Sequence, residues 1–170
     1  CFTIYKLFIV ILKRLFLLLS VVLLASCYSK QSRTWVFDKE GDFTPAQIAK
    51  FDSLFASHEK KTTNEMALVT TPDFGADKTI ERFGINVARK YGVGKKDVNN
   101  GIVVVLSLTR RQVRISTGYG TERYLSNSFA QQIIDSVIIP KIKQDSVFTG
   151  VWNGCQQIIS FLEKPENKIQ

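Results

Sequence analysis

The sequence predicts a layered α/β fold, and three observations carry that expectation. Residues 102–106, Ile-Val-Val-Val-Leu, form an unbroken apolar run rich in valine, the mark of a strand covered on both faces. Strand-like and helix-like segments alternate before that run, and two amphipathic helical segments close the chain. At 170 residues the chain is one ordinary domain with a real core, and no internal repeat competes with that reading.

The elements follow in order. Trp35, Val36 and Phe37 read as a short edge strand or extended segment, ahead of the polar stretch 38–42. Thr44 is a natural N-cap, Pro45 suits a first helical position, and Gln47 completes a capping-box spacing. Ile48, Phe51, Leu54 and Phe55 then share one face of a helix running to about Lys60. Residues 66–71 read as a short buried strand ended by Pro72. A second helix is expected from Asp77 as N-cap through Ile80, Phe83, Val87 and Tyr91. Gly92 stands where a helix C-terminus favours a left-handed residue. After the loop 94–101 comes the apolar central strand, then a basic turn at 108–111. In residues 112–117 Val113 and Ile115 face one way, Arg114 and Ser116 the other, which suits a strand nearer an edge. One closing helix starts near 126–128, carries Phe129, Ile133, Ile134, Val137 and Ile138, and is expected to stop by Pro140. The other, about 147–163, presents Val151, Cys155, Ile158, Ile159 and Leu162. A helix on each face of the sheet accounts for the apolar central strand.

Ahead of the domain, Lys6, Lys13 and Arg14 precede an eleven-residue apolar run, 15–25, and no acidic residue occurs before Asp38. That run is short for a membrane span and has the basic lead and apolar middle of a secretory signal. It ends in Leu24, Ala25, Ser26 and Cys27, which resembles the lipobox of bacterial lipoproteins, where the cysteine is lipidated and becomes the mature N-terminus. The organisation expected is a signal peptide over 1–26, a lipidated tether over 27–34, a folded domain over 35–163 and a tail over 164–170. The localisation expected is the bacterial cell envelope, outside the cytoplasm, with the membrane engaged through the lipid on Cys27.

Formal charge is +8, and loss of three basic residues with the leader leaves 20 basic and 15 acidic residues. This is a moderately basic surface with no Lys/Arg run longer than two, so a nucleic-acid partner is not expected. Of three cysteines, Cys1 lies in the leader and Cys27 carries the lipid, which leaves Cys155 and no disulfide framework. Cys155 reads as a packed small hydrophobe, and a Cys-x5-Arg phosphatase loop is excluded because Phe161 stands where the arginine would be. His58, the single histidine, is expected at a solvent-facing or helix-end position and not in catalysis.

Two loops carry the candidate site. Loop 97–101 enters the central strand and loop 118–122 leaves its hairpin partner, so antiparallel pairing sets them side by side. Asp97, Asn99, Asn100 and Glu122 then converge in expectation, with oxygen ligands suited to Ca²⁺ or Mg²⁺. Gly118 and Gly120 either let backbone approach a ligand closely or permit positive φ in the exit turn.

The stretches VFDKEGDFTPAQIAKFDSLF, ARKYGVGKKDVNNGIVVVLS, RRQVRISTGYGTERYLS and IIPKIKQDSVFTGVWNGCQQI resemble the TPM-domain family, over about residues 35–162. That family includes a thylakoid phosphatase and photosystem II repair factor and many bacterial envelope proteins. The resemblance implies a three-layer α/β/α sandwich around about four strands, with an acidic cleft that binds divalent metal in some relatives. By position, the cleft residues it implies are Asp38, Asn100 and Glu122, with backbone at Gly101, Gly118 and Gly120. A weakened metal site falls to Asp38, Asp97 and Glu122. The family often has Asp-Asn-Gly where Asn99, Asn100 and Gly101 stand, and often Asp where Asn127 stands, so two carboxylates have become amides and catalysis is put in doubt. The reading favoured is an envelope binding or assembly module with an envelope protein as partner. The alternative is a metal-dependent phosphatase using Lys95, Lys96 or Arg123 to contact phosphate; no independent phosphatase motif accompanies them.

Overall fold

The computed structural model describes residues 33–167. Four strands form one sheet in sequence order: β1 (Val36–Asp38), β2 (Glu65–Thr70), β3 (Gly101–Ser107) and β4 (Gln112–Thr117). β1, β2 and β3 run parallel, and β4 returns antiparallel on β3, with Val104 opposite Ile115. Every residue of β2 and β3 is buried, as the valine run required. β1 and β4 are the edges.

The helices are α1 (Pro45–Thr62), α2 (Ile80–Tyr91), the single turn α3 (Tyr119–Glu122), α4 (Asn127–Ile133), α5 (Ile139–Ile142) and α6 (Val147–Leu162). One sheet face is covered by α2. Phe37 of β1 stacks on Tyr91 at 3.9 Å between ring centroids, and a methyl on Gly84 would strike the Ser116 side chain and lie 3.5 Å from Val105. The other face carries α1, α4 and α6, which pack on one another; Phe51 of α1 meets Phe148 and Trp152 of α6 at 5.5 and 5.4 Å. The three-layer α/β/α sandwich follows from that division. Among the described residues no helix is long and apolar enough to cross a membrane.

Local signals held at the start of α1. The Thr44 hydroxyl accepts from the Gln47 amide at 3.3 Å and the Gln47 side chain accepts from the Thr44 amide at 2.8 Å, a complete capping box. Three expectations need correction. The N-cap of α2 is Thr79, not Asp77, which lies in a preceding 3₁₀ turn and accepts from the Asn86 amide. The helix begun at Asn127 does not stop by Pro140. It widens into a π-helical turn at Ile134–Ile138 and continues as α5, because proline has no N–H to donate and its ring crowds the carbonyl four residues back. Gly150 and Gly154 let α6 settle against Ile138 in that turn, where a Cβ on either would collide with it.

The third correction is His58, which is fully buried. Its Nδ1 faces Glu163 Oε1 at 3.4 Å, and Lys61 Nζ lies 3.0 Å from Glu163 Oε2. Burial lowers the His58 pKa more than Glu163 raises it, so the imidazole is neutral and the contact is a hydrogen bond. Partial burial raises the Glu163 pKa, but the hydrogen bonds with Lys61 and His58 outweigh it and hold the carboxyl below its ordinary value. Cys155 is buried, and burial pushes its thiol far up, so it packs as a hydrophobe.

Candidate functional site

The hairpin brings its two outer loops together. The Gly118 amide donates to the Gly101 carbonyl at 2.9 Å and the Gly120 amide to the Asn99 carbonyl at 3.1 Å. Neither glycine has positive φ. Their lack of a side chain serves the seam: a methyl at Gly118 would strike the Asn99 carbonyl oxygen, and one at Gly120 the Val98 carbonyl oxygen. Close approach is thus required, but of loop to loop.

Beside the seam opens a cleft of about 600 Å³ between α2, β4 and α3. Glu122, Asn99, Gly101 and Gly118 line it, together with Lys95 and Lys96. Asn127 lines it too. Its Nδ2 donates to Glu122 Oε1 at 2.9 Å and its Oδ1 accepts from Arg114 Nη2 at 3.0 Å, so the amide bridges a carboxylate and a guanidinium. Arg114 Nε is enclosed and has no protein partner. Four cationic side chains, Arg89, Lys95, Lys96 and Arg114, line the cleft against two carboxylates, Glu81 and Glu122. The amides at 99 and 127, which stand where the resemblance placed acids, are both on this surface.

Asp38 is elsewhere. In register it aligns with Thr70 and so with Leu106, five residues along β3 from Gly101, or roughly 16 Å at the usual rise of a strand. Its carboxylate is occupied: Oδ1 accepts from the Gly41 and Asp42 amides at 3.0 and 3.1 Å and from the Thr70 hydroxyl, and Oδ2 from the Phe43 amide at 2.9 Å. Glu40 beside it accepts from the Leu108 and Thr109 amides, both at 3.1 Å. These two acids lash the loop after β1 to the sheet and to the hairpin turn. Asp42, crowded by partial burial first and by Glu40 and Asp38 next, has its pKa raised to about 6.

Asn100 is fully buried. Its Oδ1 accepts from the Lys95 amide at 2.8 Å and its Nδ2 donates to the Thr63 carbonyl at 2.7 Å, which ties the loop to the end of α1. Asp97 is exposed, and neither Asp97, Arg123 nor Gly120 lines the cleft. The expected metal set Asp38, Asp97 and Glu122 therefore does not converge, and no group of three or more His, Cys, Asp or Glu side chains suited to a metal occurs among the described residues. The donor chemistry of the cleft, two carboxylates among four cations, does not fit Ca²⁺ or Mg²⁺.

Sequence reasoning left Glu81, Ile85, Arg89 and Arg114 out of the site. A signal existed for two of them: Glu81 and Ile85 are four apart on the side of α2 away from Phe83 and Val87. Ile85 and Tyr119 are the large apolar side chains left exposed among the described residues, at 49% and 82%, and both line this cleft.

Residues 36–161 match the TPM domain. The N-terminal domain of a Porphyromonas gingivalis protein (P. gingivalis) is 30% identical with a TM-score of 0.72, over 83% of this chain and 89% of that one. The BA42 protein of Bizionia argentinensis is 16% identical at TM-score 0.63, over 74% and 85% of the two chains. The N-terminal domain of the cg2496 protein of Corynebacterium glutamicum is 12% identical at 0.59, over 79% and 83%. The last two speak to fold alone. No curated protein matches the sequence.

Proposed function

From the premise that the chain belongs to the TPM-domain family, as the match over residues 36–161 shows, we propose that it is a tethered binding module of the bacterial cell envelope and not a phosphatase. One observation carries this reading. The carboxylates that a metal-assisted hydrolase would need are dispersed: Asp38 is spent on backbone amides, Asp97 is outside the cleft, and Glu122 meets Asn127 among four cations. Phosphoryl transfer needs charge neutralisation together with an aligned nucleophile. Lys95, Lys96 and Arg114 supply the first, while of the two carboxylates in the cleft Glu122 is already engaged by Asn127. Such a surface holds an anionic ligand without converting it.

The tether rests on the sequence: a basic lead, an apolar run, and Leu24, Ala25 and Ser26 before Cys27. Cys27 lies outside the described residues. Two measurements test the proposal. Purified protein incubated with a phosphomonoester, with and without Mg²⁺ or Ca²⁺, is expected to match Glu122→Gln in turnover; activity lost in that variant would make the chain an enzyme. In cells, Cys27→Ser is expected to move the protein from the membrane to the soluble fraction.

A further inference from the structure

The three parallel strands give the domain two unlike ends. β1, β2 and β3 all begin at one end of the sheet, so the helices that return between them, α1 and α2, finish there, as does the antiparallel β4. α6 finishes there too, since Glu163 just after it meets Lys61 of α1. The chain enters the domain at this same end: Thr34, two residues ahead of Val36, is level with Met66 near the start of β2.

Positive charge is in excess at the entry end. Arg89 and Lys90 close α2, Lys95 and Lys96 follow in the loop into β3, Lys60 stands in the last turn of α1, and Arg123 follows α3. All six are exposed, and none is in an ion pair among the described residues. Of the acids at this end, Glu65 accepts from the Gly94 amide, Glu163 pairs with Lys61 and Glu122 meets Asn127, which leaves Glu59, Asp97 and Glu166. Where the three parallel strands finish, the balance is reversed: Asp38, Glu40, Asp42, Asp73 and Asp77 stand at and after the strand ends against Lys39, Lys78, Arg110 and Arg111. Tyr119, with 82% of its surface exposed, also belongs to the entry end and shares the cleft with Arg89, Lys95 and Lys96.

We infer that the entry end of the domain docks on an anionic phospholipid bilayer, the membrane that holds the tether. The inference rests on the tethered-module reading and names what the basic surface meets. Residues 27–33 reach at most about 25 Å when fully extended, which keeps the entry end nearer the lipid than the acid-rich end. The charge complements phosphodiester headgroups, and each Lys or Arg brought to such a leaflet strengthens binding roughly fivefold. A solvent-facing tyrosine suits the headgroup level, where its ring meets apolar surroundings and its hydroxyl wet ones. An acidic protein would match the charge, but it leaves the tether's entry at the basic end without a reason.

The test is lysine acetylation read by mass spectrometry. The full chain is reconstituted through its own N-terminal segment into vesicles of phosphatidylcholine alone, or of phosphatidylcholine and phosphatidylglycerol in equal parts. Modification of Lys60, Lys90, Lys95 and Lys96 is expected to slow about fivefold or more in the anionic vesicles, and high salt is expected to abolish the difference. Lys39 and Lys78, at the other end, are expected to react alike in both. Lys95→Glu combined with Lys96→Glu, both exposed, is expected to remove the protection of Lys60 and Lys90. Equal rates in the two vesicle types, or slowing that includes Lys39 and Lys78, would overturn docking by this end and leave the tethered module standing. Slowing seen in native envelope membranes but not with lipid alone would overturn it in favour of an acidic protein partner. A chain that sediments with neither vesicle would remove the tether, and the inference with it.

Discussion

The two ends of the sheet carry similar polar residues and use them in opposite ways. At the end where β1 and β2 finish, Asp38 and Glu40 accept five backbone amides between them, and their charge is consumed in holding loops. At the end where β3 begins, Glu122 meets one side-chain amide, and the polar groups around it face an open cleft. Aspartate in VFDKEGD and glutamate in GYGTE look alike as letters. What separates them is which N–H groups the folded chain delivers to each: an acid ringed by its own loop's amides is architecture, and an acid facing a cavity is available.

Substitutions break that contrast in order of size. Asp38→Ala leaves three backbone amides and the Thr70 hydroxyl without their acceptor, and is expected to cost about 3 kcal/mol in urea unfolding. Gly120→Ala forces a methyl onto the Val98 carbonyl and is expected to cost about 2 kcal/mol by the same measurement, since the obstacle is backbone. Asp42→Asn acts with the opposite sign. A folded pKa near 6 against 3.8 means that the wild-type carboxyl contributes stability below pH 3.8 and loses it as pH rises to about 6. The amide is therefore expected to gain about 1 kcal/mol at pH 8 and nothing at pH 3.5, a figure reduced for solvent screening at this partly open position. Glu122→Gln, at the open end, is expected to change stability by less than about 0.5 kcal/mol.

His58 sharpens the pH argument. Its lowered pKa means that the folded state holds the neutral ring, so its contribution is present above pH 6.5 and lost as pH falls below that. Denaturation midpoints followed from pH 8 to pH 4 are expected to fall in the wild type, and to fall less in a variant with His58→Gln. Glu163, with its pKa lowered, works in the same direction below pH 4.5.

Much of the fold was legible because its signals are local. The capping box at Thr44, the left-handed Gly92 and the apolar run over β3 each follow from a few neighbouring residues. The site was legible only in its hairpin logic, which set the two loops side by side. Asn99 and Asn100 are adjacent letters, yet one lines the cleft and the other is buried under Lys95 and Thr63, a distinction that depends on contacts some 37 residues away in sequence. Asp38 was misplaced for the same reason: its partner Thr70 lies on another strand. His58 was misread because one of the two groups its buried ring bonds, Glu163, comes from across the whole domain, while the other, Thr62, lies one turn along the same helix.

The division between the two ends is tested most directly by calorimetric titration of chelator-treated protein with millimolar Ca²⁺ or Mg²⁺, beside Asp38→Asn and Glu122→Gln. The account predicts no saturable binding that depends on both residues. One-to-one binding abolished equally by either substitution would require the two carboxylates to share an ion, and would contradict it.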